Sequence, residues 1–122
     1  MNSNQIHLLR AGSGVITAAM LAACGGAPSE AEFIAACMKE GESIAQKGRD
    51  RQMGVERDIF CKCATREANA TYSADGQRAT ILGMQGKKEE ARAITAKMSD
   101  SDQQAHLMAG LTVMAKCVPA AK

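Results

Sequence analysis

The chain has 122 residues, 46% of them hydrophobic and 23% charged, with a formal net charge of +2. That length suits one small domain, and the nearly balanced charge excludes the basic stripe of a nucleic-acid binder, since Lys87-Lys88 runs straight into Glu89-Glu90 and Arg49-Asp50-Arg51 alternates in sign. With two Phe, one Tyr and no Trp, the core must be assembled from Ala, Ile, Leu, Met and Val. A domain so built sits near the size at which covalent staples become useful.

A polar start containing His7 and Arg10 leads into residues 11–23, which are small or apolar and uncharged. This run is shorter than the roughly 20 residues a bilayer-spanning helix needs and has the dimensions of a signal-peptide apolar region. It ends in Leu21-Ala22-Ala23-Cys24, followed by Gly25-Gly26-Ala27-Pro28. Leu at −3, Ala at −1 and the cysteine resemble the lipobox of bacterial lipoproteins. The resemblance implies that residues 1–23 are a lipoprotein signal peptide and that Cys24 becomes the new amino terminus, lipidated on sulfur. Residues 24–28 are then a lipidated flexible tether and residues 29–122 a single helical domain. Two or three acyl chains on one terminus give stable attachment, whereas one is marginal. Gly25 stands where many lipoproteins retained in the inner membrane carry aspartate, so the expected location is the outer membrane, facing the periplasm, in a cell with two membranes.

Beyond the tether the pattern predicts helices throughout. Ser29 with Glu32 forms an S-x-x-E capping box, and Phe33, Ile34, Cys37 and Met38 share one helix face. Gly41 and Gly48 bracket the expected end of this helix, with residues 46–52 read as a charged connection. A second helix carries Val55, Ile59, Phe60 and Cys63 and fades by Tyr72, where Ser73-Ala74-Asp75-Gly76 supplies turn chemistry. Residues 77–98 form a third helical stretch, interrupted at Gly83 and Gly86 and divisible into two. Ser101 with Gln104 suggests a second capping box, followed by the longest apolar stripe of the chain, Leu107, Met108, Leu111, Met114 and Val118, closed by Pro119. The methionines at 38, 84, 98, 108 and 114 are expected to fill the core. The fold class is all-α: a small bundle of three to five helices stapled by two disulfides.

Those staples are Cys37, Cys61, Cys63 and Cys117, the even set left once Cys24 is committed to lipid, in a compartment where disulfides persist. A two-residue step along a helix rotates by about 200°, so Cys61 and Cys63 point to nearly opposite sides and do not bond each other. Two connectivities stay open. The sequence leans to Cys37–Cys61 with Cys63–Cys117, because Cys63 shares a face with Ile59 and Phe60 while Cys61 neighbours Arg57 and Asp58. The domain also resembles small helical envelope proteins with a Phe-x-x-x-Cys and a later aromatic-Cys-x-Cys, here Phe33 to Cys37 and Phe60-Cys61-Lys62-Cys63. That resemblance supports a disulfide framework and implies no activity.

No residue set specifies a reaction. Cys61-Lys62-Cys63, with His106, Met108 and Met114, could in principle ligate a metal, but a C-x-C inside a helix diverges its sulfurs where zinc sites need them to converge. Redox catalysis lacks its C-x-x-C. His106, the only histidine after the leader, reads as a surface or half-buried helix residue, and Glu40, Glu42, Glu56, Asp58 and Glu67 are scattered with no apolar pocket to raise a pKa. Glu67-Ala68-Asn69-Ala70-Thr71 resembles an extended bacterial N-glycosylation acceptor at a helix end. The expectation is a non-enzymatic, cofactor-free envelope protein, anchored to a membrane by its N-terminal lipid, that serves as a structural or interaction module for another envelope protein and binds no nucleic acid. The alternative is a metal-binding or metal-delivery lipoprotein using Cys61 and Cys63.

Overall fold

The computed structural model describes residues 26–122; the leader, the lipobox and Cys24 lie outside the described residues. These fold into six helices: α1 (Glu30–Glu40), α2 (Ile44–Met53), α3 (Arg57–Thr71), α4 (Ala74–Met84), α5 (Lys88–Ala96) and α6 (Asp100–Ala120). None of them is long and apolar enough to cross a membrane.

Serine starts four of the six. Ser29, Ser43, Ser73 and Ser99 each hold extended backbone and accept, through Oγ, the N–H three residues on, at Glu32, Gln46, Gly76 and Asp102, satisfying one otherwise orphaned donor per helix. The cap of α6 is thus Ser99. The expected box at Ser101 falls inside the first turn, which also carries the acidic Asp100 and Asp102. Pro119 sits inside the last turn and Ala121 is the C-cap.

The segment 46–52, expected to be a connection, is part of α2, which raises the helix count above the expected three to five. Its inward face is polar: Gln46 and Asp50, one turn apart, are its buried residues. Gly54 closes α2 in the left-handed conformation at φ 66°, which glycine adopts without a Cβ penalty.

α3 is the central strut. Both α1 and α6 run antiparallel to it, α1 from Glu30 beside Asn69 to Cys37 bonded to Cys61, and α6 from His106 against Tyr72 to Ala121, whose carbonyl accepts the Glu56 N–H at 2.8 Å. The disulfides are Cys37–Cys61 and Cys63–Cys117, so the C-x-C does splay its sulfurs onto two different helices. α4 lies alongside α1. The core joins Phe33 and Ala36 of α1, Cys63, Ala64 and Ala68 of α3, Ile81 of α4, and Val113 and Cys117 of α6.

Small residues dominate that list, and this corrects two expectations. α6 turns Ala109, Val113 and Cys117 inward, while Leu107, Met108, Leu111 and Met114 are exposed, Leu107 by 66%. Met38 and Ile59 are exposed as well. Short disulfide-linked approaches to α3 leave room for alanine, valine and cystine but not for the larger stripe one step around the helix, so that stripe faces out. Met84 alone of the five methionines packs against the core cluster.

Candidate functional site

The outward stripe of α6 forms one wall of an apolar groove of about 410 Å³, within the size range of small-ligand sites. Its buried base is Phe33, Ala64 and Val113. Leu107, Leu111 and Met114, spaced i, i+4, i+7, wall one side; Thr80 and Met84 of α4, also one turn apart, contribute opposite them. Tyr72 and His106 stand at one end, and Glu40 and Phe60 at the other.

The Tyr72–His106 end exists because two glycines make room for it. The rings lie 5.0 Å apart between centroids, tilted by 42°. A Cβ on Gly76 of α4 would sit 2.9 Å from His106 Nδ1, and one on Gly110 of α6 would sit 3.2 Å from the Tyr72 hydroxyl. His106 Nδ1 is buried with no hydrogen-bond partner. Burial holds the imidazole below its ordinary pKa and pushes the Tyr72 phenol up, against a smaller opposing effect from a hydrogen bond with Thr80. At neutral pH this end is therefore uncharged, a pair of polar rings at the mouth of an oily trough.

The opposite end is charged and closed. Arg57, at the start of α3, donates Nε to Asp50 Oδ2 at 2.9 Å and Nη2 to Asp50 Oδ1 at 2.5 Å, the bidentate geometry in which guanidinium and carboxylate match best. Gln46 donates to the same carboxylate at 2.8 Å and accepts from Arg49 at 2.7 Å. The guanidinium also lies 5.0 Å from the Phe60 ring centroid and 3.8 Å from both Cys37 Sγ and Glu40 Oε1. Gly41 lets the Arg57 stem pass, since a Cβ there would meet Arg57 Cγ at 2.6 Å. The Arg57 hydrogen bonds hold the Asp50 carboxyl below its usual pKa. Glu40 is raised, because burial outweighs the attraction of Arg57. Here the structure departs from expectation: an apolar pocket does exist, and Glu40 borders it.

His106 is half-buried, as its sequence context suggested. It does not join Cys61 and Cys63, whose sulfurs are bonded elsewhere, and Met114 lies two turns further along α6. Among the described residues no group of three or more His, Cys, Asp or Glu is placed to hold one metal ion. Asn69 of the acceptor-like stretch is exposed in the last turn of α3, its amide donating to Glu30 at 3.3 Å. Tyr72, Thr80, Gly76 and Gly110 were missed as site residues. Gly110 carried a signal, being a costly glycine in mid-helix that needs a packing reason. No family model, no curated protein and no solved structure matches the chain.

Proposed function

We propose that this protein is a lipid-anchored bacterial envelope protein whose helical domain is a structural or interaction module, with the α6 groove as its contact surface. One observation carries the contact assignment: four large apolar side chains of one helix, Leu107, Met108, Leu111 and Met114, stand exposed, three of them beside an apolar trough on a scaffold held by two disulfides. Clustered exposed apolar surface marks interaction sites, whereas single exposed residues do not. The lipobox at residues 21–24 supports the anchor, and two disulfides suit an oxidising compartment such as the periplasm. In a cell with two membranes, Gly25 in place of an aspartate supports outer-membrane attachment facing the periplasm. The metal-delivery alternative needs thiolates at Cys61 and Cys63, and the disulfides consume both sulfurs.

The test is made in cells. Mass analysis of the purified protein should show an N-terminal lipidated Cys24. A photo-crosslinking residue at Leu111 should give a discrete adduct with an envelope component, lost on Leu107→Asp, and the same probe at exposed Arg92 should give none. An unmodified Cys24 would overturn the anchor; identical adducts from positions 92 and 111 would overturn the contact surface.

A further inference from the structure

We infer that the exposed face of α6 pairs with the same face of a second copy of this chain, the two α6 helices running antiparallel about a two-fold axis at the level of residues 112–113. This names a partner for the α6 contact surface proposed above and rests on it.

Spacing points to a helix as the occupant. Leu107, Leu111, Met114 and Val118 follow one another at intervals of four, three and four, the repeat that keeps a row of side chains facing one neighbouring helix along its length. The first three are exposed by 45–66% and Val118 is half-buried. Met108 flanks this row on the side away from the groove; it too is exposed, and it is no part of the groove lining. A small molecule lying in the groove would leave Met108 in water. A helix laid along the row covers Met108 together with Leu107, Leu111 and Met114.

Charge and polarity select the direction and the register. Residues 103–115 contain no Asp, Glu, Lys or Arg; Asp100 and Asp102 precede them, and Lys116 and Lys122 follow. The same spacing runs back from Leu107 to Gln104 and Asp100, so the row is polar at its start and apolar thereafter. Parallel packing would set Asp100 against Asp100 and Gln104 against Gln104, a juxtaposition of like charges that disfavours the pair. Antiparallel packing centred between Thr112 and Val113 sets Leu107 against Val118 and Leu111 against Met114, so each apolar member of the row meets another. Lys116 is turned aside, to Glu67 of α3 at 3.2 Å. Asp100 comes within about one helical turn, roughly 5 Å along the axis, of the other copy's Lys122. Sliding the pair to centre on Ala109 would set Asp100 against Val118 and Gln104 against Met114, which wastes the apolar half of the row. A seam one helix wide is small for a protein interface, so paired and single copies exchange.

The test uses two full-length copies with different affinity tags, expressed in one cell, one of them carrying a photo-crosslinking residue at Leu107. Illumination and purification on both tags in turn should give an adduct of twice the monomer mass. After reduction and cleavage at lysine, the probe should be joined to the other copy's peptide that begins at Cys117 and contains Val118. A join to the 98–116 peptide, which parallel packing or the Ala109 register requires, would overturn the inference. Leu111→Asp in both copies should cut the yield by about tenfold or more, with intact mass confirming that both disulfides persist; an undiminished yield would mean that the copies meet elsewhere and would overturn the seam. An adduct with a different protein alone would overturn the pairing and leave α6 as a contact surface. No adduct, or the same adducts from a probe at Arg92, would remove the contact surface and the pairing with it.

Discussion

The two ends of the groove solve opposite problems with the same few helices. At the Arg57 end every buried charge has a partner: Asp50 receives three hydrogen bonds, from Arg57 and Gln46, and α2 is fixed by them although it buries no large apolar residue. At the Tyr72–His106 end, glycines hold space open, Nδ1 of the histidine has no partner, and the surrounding apolar side chains are exposed. Satisfied polarity locks position; unsatisfied polarity beside uncovered apolar surface leaves a place for something else. The first end is architecture and the second is a site.

The largest effects should come from the two staples, both toward the Arg57 end. Replacing Cys63 and Cys117 by Ala, 54 residues apart, should cost about 4 kcal/mol by loop-closure entropy, and replacing Cys37 and Cys61, 24 apart, about 3.5 kcal/mol. Urea titration of both double variants checks the order. Next, Asp50→Ala should lose about 3 kcal/mol by leaving the Arg57 charge only its 3.8 Å contact with Glu40, and adding Arg57→Met should recover much of it. No recovery in the double variant would mean that the corner is held by packing and not by its ion pair.

Smaller effects test the open end. Gly76→Ala drives a methyl against His106 and should cost about 1–3 kcal/mol. Gly83→Ala, also in α4 but facing open space, should stabilise by about 0.5–1 kcal/mol. Equal outcomes would erase the distinction drawn for the ring pocket. The smallest effect is that of pH. Because the folded pKa of His106 lies below its ordinary 6.5, the unfolded chain takes the proton first as pH falls. The stability due to the neutral ring is therefore complete above about 6.5 and declines below it. Thermal melts at pH 7 and 5 should show this slope reduced in His106→Gln. Asp50, with its lowered pKa, loses its contribution only as pH falls below the ordinary carboxylate range near 4.

Helix class, the Ser29 cap and the divergence of Cys61 from Cys63 were legible in the sequence because each depends on local spacing, whereas the sequence leaned to the observed pairing but left its alternative open. α2 was not legible, because periodicity detects apolar stripes and its buried stripe is Gln46 and Asp50. The site was hidden for a related reason. The pattern in α6 announces an apolar face, yet Ala109, Val113 and Cys117 form a second stripe beside Leu107, Leu111 and Met114. Only the tightness of the approach to α3 decides which turns inward.

Among the four cysteines of the described residues, the two disulfides join neighbours in chain order, Cys37 with Cys61 and Cys63 with Cys117. In a chain made amino terminus first, Cys61 becomes available to Cys37 before Cys117 has been made, and Cys63 then waits for α6. An oxidant that joins thiols as they arrive writes the native pattern without later shuffling, provided the adjacent sulfurs of Cys61 and Cys63 are kept apart by the helix already forming between them. The cross-linking of this domain can thus be completed by timing, with the second bond forming only once α6 has brought Cys117 to Cys63.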